Sequence, residues 1–116
     1  MKLGDNIRNF RTFRRIKQQE LADLLGKSKS VISNWERGEN SPDLESIEKM
    51  CKIFKITPNE LFGWEKNPEY EKYKENLEKY QREIDELQKE ALYIEKRIEQ
   101  LELIKLQTIQ PDLEEE

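Results

Sequence analysis

The chain has no histidine and only one cysteine, Cys51. With no second cysteine, no disulfide can close within it, and no Cys/His zinc cluster can be assembled. The side chain that most often acts as a general base near neutral pH is missing as well. Cys51 falls in an apolar helical pattern and reads as a small buried hydrophobe, not a nucleophile. Glycine-rich phosphate loops are absent. No enzymatic activity is therefore expected, and no metal or other cofactor. No apolar run approaches the ~18 residues of a membrane span, and Met1-Lys2-Leu3-Gly4 does not open a signal peptide. The expected protein is soluble and cytoplasmic.

Apolar residues are also scarce: 34% of the 116 positions, against 40% charged. A single globule of that length would lack core material, so one small domain with a solvated helical extension is expected. The charge is unevenly divided. Residues 1–64 carry 12 Lys and Arg against 9 Asp and Glu, whereas residues 65–116 carry 9 against 16. A nucleic-acid partner should meet the mildly basic front, not the acidic rear.

In the front part, apolar residues recur at helical spacing in short blocks, with no strand-like alternation. Leu3, Ile7, Phe10 and Phe13 mark one face of a first helix. Leu21, Leu24 and Leu25 mark a second, which stops at Gly26. Ser28 is placed to cap a third helix whose apolar side is Val31, Ile32 and Trp35 and which ends before Gly38. Glu39-Asn40-Ser41-Pro42 forms a turn. A fourth helix starts near Asp43, with Leu44, Ile47, Met50, Cys51 and Phe54 on one side. Thr57-Pro58 gives an N-cap followed by an N1 proline for a short fifth helix through Leu61-Phe62. The fold class is all-α.

Gln18 to Trp35 has the layout of a helix-turn-helix. Two helices that cross closely want a small residue at the contact, supplied by Ala22, and the sharp turn wants a positive φ, which Gly26 adopts cheaply. With Val31, Ile32 and Trp35 inward, Lys29, Ser30, Ser33, Asn34 and Arg37 must face outward. That face is small, polar and partly cationic, as suits a helix in a major groove. Lys29 can donate to guanine O6 and N7, Asn34 can pair bidentately with adenine, and Ser30 and Ser33 can donate or accept. The same residues could form an ordinary solvated face; the Ala22, Gly26, Ile32 and Trp35 framework beside them favours the groove.

Four segments carry a family resemblance: Ile7-Arg8-Asn9-Phe10-Arg11, Gln18-Gln19-Glu20-Leu21-Ala22, Val31-Ile32-Ser33-Asn34-Trp35-Glu36-Arg37-Gly38 and Pro58-Asn59-Glu60-Leu61-Phe62. Together they make residues 7–62 resemble the Cro- and phage-repressor-like helix-turn-helix regulators, often called the XRE family. The resemblance implies a five-helix lambda-repressor-like domain over residues 1–64 that binds double-stranded DNA. It implies that Gln18 holds a phosphate, that Lys29, Ser30 and Asn34 read bases with Ser33 close by, and that Arg37 and the following loop, including Asn40, make further backbone contacts. It also implies a partly buried salt bridge between Arg11 and Glu36. Two positions depart from the pattern. Many relatives have Gly where this chain has Arg15, so a different first turn is expected, with an extra phosphate contact. Many have Ser or Thr where this chain has Lys17, which cannot cap the second helix, at a loss of about 1 kcal/mol, but adds a cation near the DNA.

From Pro68 to residue 110 the pattern changes. No glycine or further proline interrupts it, and Tyr70, Tyr73, Leu77, Tyr80, Ile84, Leu87, Ala91, Ile94, Ile98 and Leu101 follow one another in alternating steps of three and four. That unbroken heptad predicts a coiled-coil helix over 65–110 that pairs two copies, because a helix folded back on the domain would drift toward 3.6 residues per turn. In a parallel pair Glu69–Lys74 and Arg97–Glu102 attract across the chains, while Glu90–Glu95 repels. An antiparallel pair sets Lys74 near Glu102 but Glu83 near Glu90, so charge does not choose. A parallel pair puts both reading heads at one end, as a palindromic site requires, and is preferred; a four-helix bundle is the higher oligomer the pattern allows. Residues 111–116 are expected to be an acidic tail. The functional expectation is a sequence-specific repressor acting as a homodimer. The alternative is an antitoxin-like or adaptor regulator whose rear helix binds a different, regulatory protein.

Overall fold

The computed structural model describes residues 2–109. The tail expected over residues 111–116 lies outside them. Six helices follow in order: α1 (Leu3–Phe13), α2 (Gln18–Leu25), α3 (Lys29–Glu36), α4 (Leu44–Phe54), α5 (Pro58–Leu61) and α6 (Pro68–Ile109). There is no strand among the described residues, and none of their helices is long and apolar enough to cross a membrane.

Local chemistry accounts for the short helices. Ser28 Oγ accepts from the Val31 N–H at 3.3 Å and starts α3. At α5 the capping is reciprocal: Thr57 Oγ1 accepts from the Glu60 N–H at 3.1 Å, and Glu60 Oε1 accepts from the Thr57 N–H at 2.8 Å. Lys17 offers no side-chain acceptor to α2, but Glu20 Oε1 accepts from the Lys17 N–H at 3.1 Å, which keeps half of the same device. Gly26 ends α2 at φ 65°. Arg15 has φ 58° in the turn between α1 and α2, the left-handed conformation in which a glycine would be at ease. The turn expected to change for want of a glycine therefore keeps a glycine-like geometry, at the expense of local strain.

The core of the first unit joins Ile7 and Phe10 of α1, Leu21, Ala22 and Leu25 of α2, Ile32 and Trp35 of α3, Met50, Cys51 and Phe54 of α4, and Leu61 of α5. Cys51 is buried, and that burial, with the Glu60 charge as a lesser cause, pushes its thiol pKa up, as an inert thiol requires. Two expected core residues lie outside. Leu24 is 60% exposed and Leu44 is 72% exposed. On α2, Leu25 takes the inward position and Leu24, one residue away, is turned some 100° aside. Leu44 is the first residue of α4 and stands ahead of its buried turns.

Gly4 fits a tighter requirement. A Cβ there would collide with the Trp35 carbonyl oxygen and lie 2.7 Å from that of Glu36, so α1 can meet the end of α3 only without a side chain at this position.

The first unit runs through Glu75, not to the expected boundary at residue 64. The opening turns of α6 belong to it because Tyr70 packs on Phe10 and Phe13, with ring centroids 4.7 and 5.4 Å apart, and Tyr73 lies 4.8 Å from Phe13. Arg14 reinforces the join, donating to the Phe54 carbonyl oxygen at 2.6 Å and to Glu69 at 2.9 Å. Tyr70 and Tyr73 thus pack on aromatic side chains of the first unit within the single chain. The second unit, from Asn76, is helical to Ile109. Its heptad residues Leu77, Tyr80, Ile84, Leu87, Ala91, Ile94, Ile98 and Leu101 are all exposed in the single chain.

Candidate nucleic-acid interface

α3 is fixed from its apolar side. Ile32 is fully buried, Trp35 nearly so, and Ala22 of α2 is fully buried among the same core residues. The opposite side of the helix is thereby presented outward: Lys29 and Ser30 are exposed, Ser33 and Asn34 half-buried. One open depression is lined by Gln18, Lys29, Ser30, Ser33, Asn34 and Arg37. Six of the residues singled out in the sequence are thus brought together. Arg15, Lys17 and Asn40 are exposed but lie outside that depression.

Behind it sits a buried carboxylate. The Glu36 side chain has no exposed surface. Arg11 Nε donates to its Oε2 at 2.7 Å and Arg11 Nη2 to its Oε1 at 3.1 Å, a bidentate fork that ties α1 to α3. Gln18 Nε2 donates to Oε1 at 3.0 Å, and Arg8 Nε approaches it at 3.5 Å. The third Arg11 nitrogen, Nη1, donates to the Ile16 carbonyl oxygen at 2.8 Å. Burial works to raise the Glu36 pKa, but the hydrogen bonds from Arg11 and Gln18 and the Arg11 charge outweigh it, and the carboxyl stays below its ordinary range. A buried charge is tolerable only with such a complete set of partners.

Gln18 consequently has two duties. One N–H of its amide is held by Glu36, which fixes the side chain at the edge of the depression and leaves the second N–H for another acceptor. Arg8 had no role assigned from the sequence, although it stands one turn before Arg11 on the same helix face, which is the signal that it shares Arg11's partner. Glu39 is a second such residue. It accepts from Arg37 Nε and Nη2, each at 3.2 Å, and places a carboxylate beside the outward side of α3.

Comparison with known proteins agrees with this geometry. Residues 7–61 match the helix-turn-helix family model HTH_3. The chain is 33% identical over 74 residues to the cryptic phage CTXphi transcriptional repressor RstR of Vibrio cholerae, covering 64% of this chain and 67% of that protein. It is 34% identical over 65 residues to the transcriptional activator BcrR of Enterococcus faecalis, covering 56% of this chain but only 32% of that protein. Among solved structures it is similar to the DNA-binding domain of the P22 c2 repressor, with a TM-score of 0.50 and 32% identity over 53% of this chain and 82% of that one. The chain belongs to the helix-turn-helix transcriptional regulators of the XRE type. It spans about a third of the Enterococcus relative and two thirds of the Vibrio one.

Proposed function

We propose that this chain is a DNA-binding repressor that reads a two-fold symmetric operator as a homodimer. α3 lies in the major groove, with Lys29, Ser30, Ser33 and Asn34 at base edges. Gln18, Arg15, Lys17, Arg37 and Asn40 engage the phosphates on either side and set register. The observation that carries this reading is the gathering of Gln18, Lys29, Ser30, Ser33, Asn34 and Arg37 around one open depression while Ile32 and Trp35 lock the helix from behind. The similarity to a solved repressor DNA-binding domain supports it.

Dimerisation follows from α6. One head reads only a few base pairs, and its mild positive charge gives weak non-specific attraction, so tight binding requires two half-sites. From Leu77 to Leu101 the heptad leaves a long apolar stripe exposed, of a size that soluble chains normally cover. A second copy of the same helix covers it.

In-vitro selection from a random duplex pool tests both parts. A palindromic motif with half-sites about one helical turn apart is expected, and sedimentation should give about twice the 14.1 kDa of one chain. A pool that never enriches ends the DNA-binding reading, whereas an unpaired motif bound by a monomer ends only the dimer.

The alternative partner for α6, a different protein, has one observation in its favour. Leu103, Ile104, Leu106 and Ile109 are exposed and depart from the heptad stripe. Sedimentation of the full chain alone at its monomer mass favours that alternative.

A further inference from the structure

Arg37 directly follows α3, and its guanidinium reaches back over the preceding turn of the helix. Nη1 donates to Ser33 Oγ, and Nη2 donates to Asn34 Oδ1 at 2.5 Å. Glu39 braces the same group, its two carboxylate oxygens accepting from Nε and Nη2. A guanidinium can only donate. Arg37 thus takes one of the two lone pairs on the Ser33 oxygen and on the Asn34 carbonyl, and its positive charge opposes the approach of a further donor to the other, which leaves the Ser33 hydroxyl hydrogen and the Asn34 NH2 group as the better-placed groups to face a ligand. Lys29, on the same depression, also has donors only.

This bears directly on base choice. An asparagine that reads adenine must accept from N6 with its carbonyl while its NH2 donates to N7. Guanine offers two acceptors, O6 and N7, and asks for donors alone. We propose that Arg37, braced by Glu39, is a specificity-determining residue that biases the Ser33–Asn34 edge of α3 toward donation and so favours guanine over adenine at the base pair Asn34 meets. The proposal rests on the reading of α3 as the groove helix. It revises the part that family resemblance gives Arg37: a guanidinium held on Ser33, Asn34 and Glu39 sets the chemistry of its neighbours before it serves any phosphate.

The test is in-vitro selection from a random duplex pool with the full-length chain, in parallel for the wild type, Asn34→Ala, Arg37→Ala and Arg37→Met. Asn34→Ala identifies the position that this side chain reads, because preference is lost there and kept elsewhere. The wild type should enrich guanine at that position. Both Arg37 variants should shift it toward adenine by fivefold or more in the guanine-to-adenine ratio, leaving the rest of each half-site unchanged. Arg37→Met retains the aliphatic stem, so it reports the lost donors without lost packing should Arg37→Ala melt early. Wild-type enrichment of adenine at that position overturns the proposal. So does an Arg37 variant that keeps guanine and loses affinity equally on every sequence, as a plain phosphate contact would. A wild-type pool with no enriched sequence sinks the underlying DNA-binding reading instead, and is recognisable as such.

Discussion

The first unit and the rest of α6 handle charge and apolar surface in opposite ways. Up to Glu75 the chain buries aliphatic and aromatic side chains from each of α1 to α5, and even takes one carboxylate, Glu36, fully out of water with its partners. From Asn76 to Ile109 nothing is buried, and Ile84, Leu87, Ile94 and Ile98 lie open on a helix about 50 Å long. The head is complete by itself, because its polar groups find partners within the same unit. The rear helix carries a heptad repeat whose apolar residues are exposed in the single chain. In one small chain, burial and exposure of apolar residues thus go with different periods: irregular helical blocks for the head, strict sevens for the rear helix.

Breaking the rear stripe alone should have the largest effect on function and the smallest on the head. Ile84→Lys combined with Ile98→Lys puts charges into the seam, a change in the class that costs more than about 4 kcal/mol when unpaired. The expected result is a chain sedimenting at half the wild-type mass, with operator affinity down at least a hundredfold and the head's melting transition in place. Loss of DNA binding without loss of mass would show that the seam residues serve something other than pairing.

Next in size is the head's own buried charge. Arg11→Ala leaves Glu36 without its bidentate partner and should cost about 3–5 kcal/mol of stability, the range for breaking a buried pair. An unchanged melting temperature would contradict the structural role of the pair. The same site gives a pH signature. The Glu36 pKa is depressed in the folded state, so its contribution is fully present above the unfolded carboxyl value of about 4.3 and is lost as pH falls through the lower folded value. Wild-type stability should therefore drop in acid below about pH 4, and Glu36→Gln, less stable at neutral pH, should lack that part of the drop.

Asn34→Ala should cost about 1–3 kcal/mol on the operator, relaxing specificity at one base pair of each half-site. Binding titrations on operator and random duplexes check it. Equal losses on both would mean that Asn34 touches only backbone.

The helices, and the caps that start them, were legible because their signals are local: Ser28 before α3 and Thr57-Pro58 before α5 act over three residues. What failed was what depends on distant partners. Leu24 sits beside the inward-facing Leu25 in an eight-residue helix, and its own exposure is set by where the rest of the core stands. Tyr70 and Tyr73 obey the heptad as well as any later residue does. Their packing on Phe10 and Phe13 depends on side chains far off in the sequence. Arg14, bonded to Phe54 and Glu69, has no sequence signal at all. The outward side of α3 followed from knowing which residues point in. The hold of Arg37 on Ser33 and Asn34 needed side-chain geometry, although its spacing of four and three residues permitted it.

The smallest predicted effect separates strain from charge in the first turn. Arg15 and Lys55 both take positive φ, 58° and 57°, where a side chain costs about 1 kcal/mol or more. Glycine removes that strain but loses more freedom on folding, so each change to glycine should raise stability by a net of about 0.5 kcal/mol. The two should differ on DNA. Lys55 closes α4 and is not among the residues proposed to meet phosphate, so Lys55→Gly should leave the salt dependence of operator binding unchanged. If Arg15 meets a phosphate, Arg15→Gly should lower the slope of log affinity against log salt by about 0.9 per half-site. Equal slopes for both variants would confine Arg15 to the turn and leave the phosphate contacts of that edge to Lys17 and Gln18.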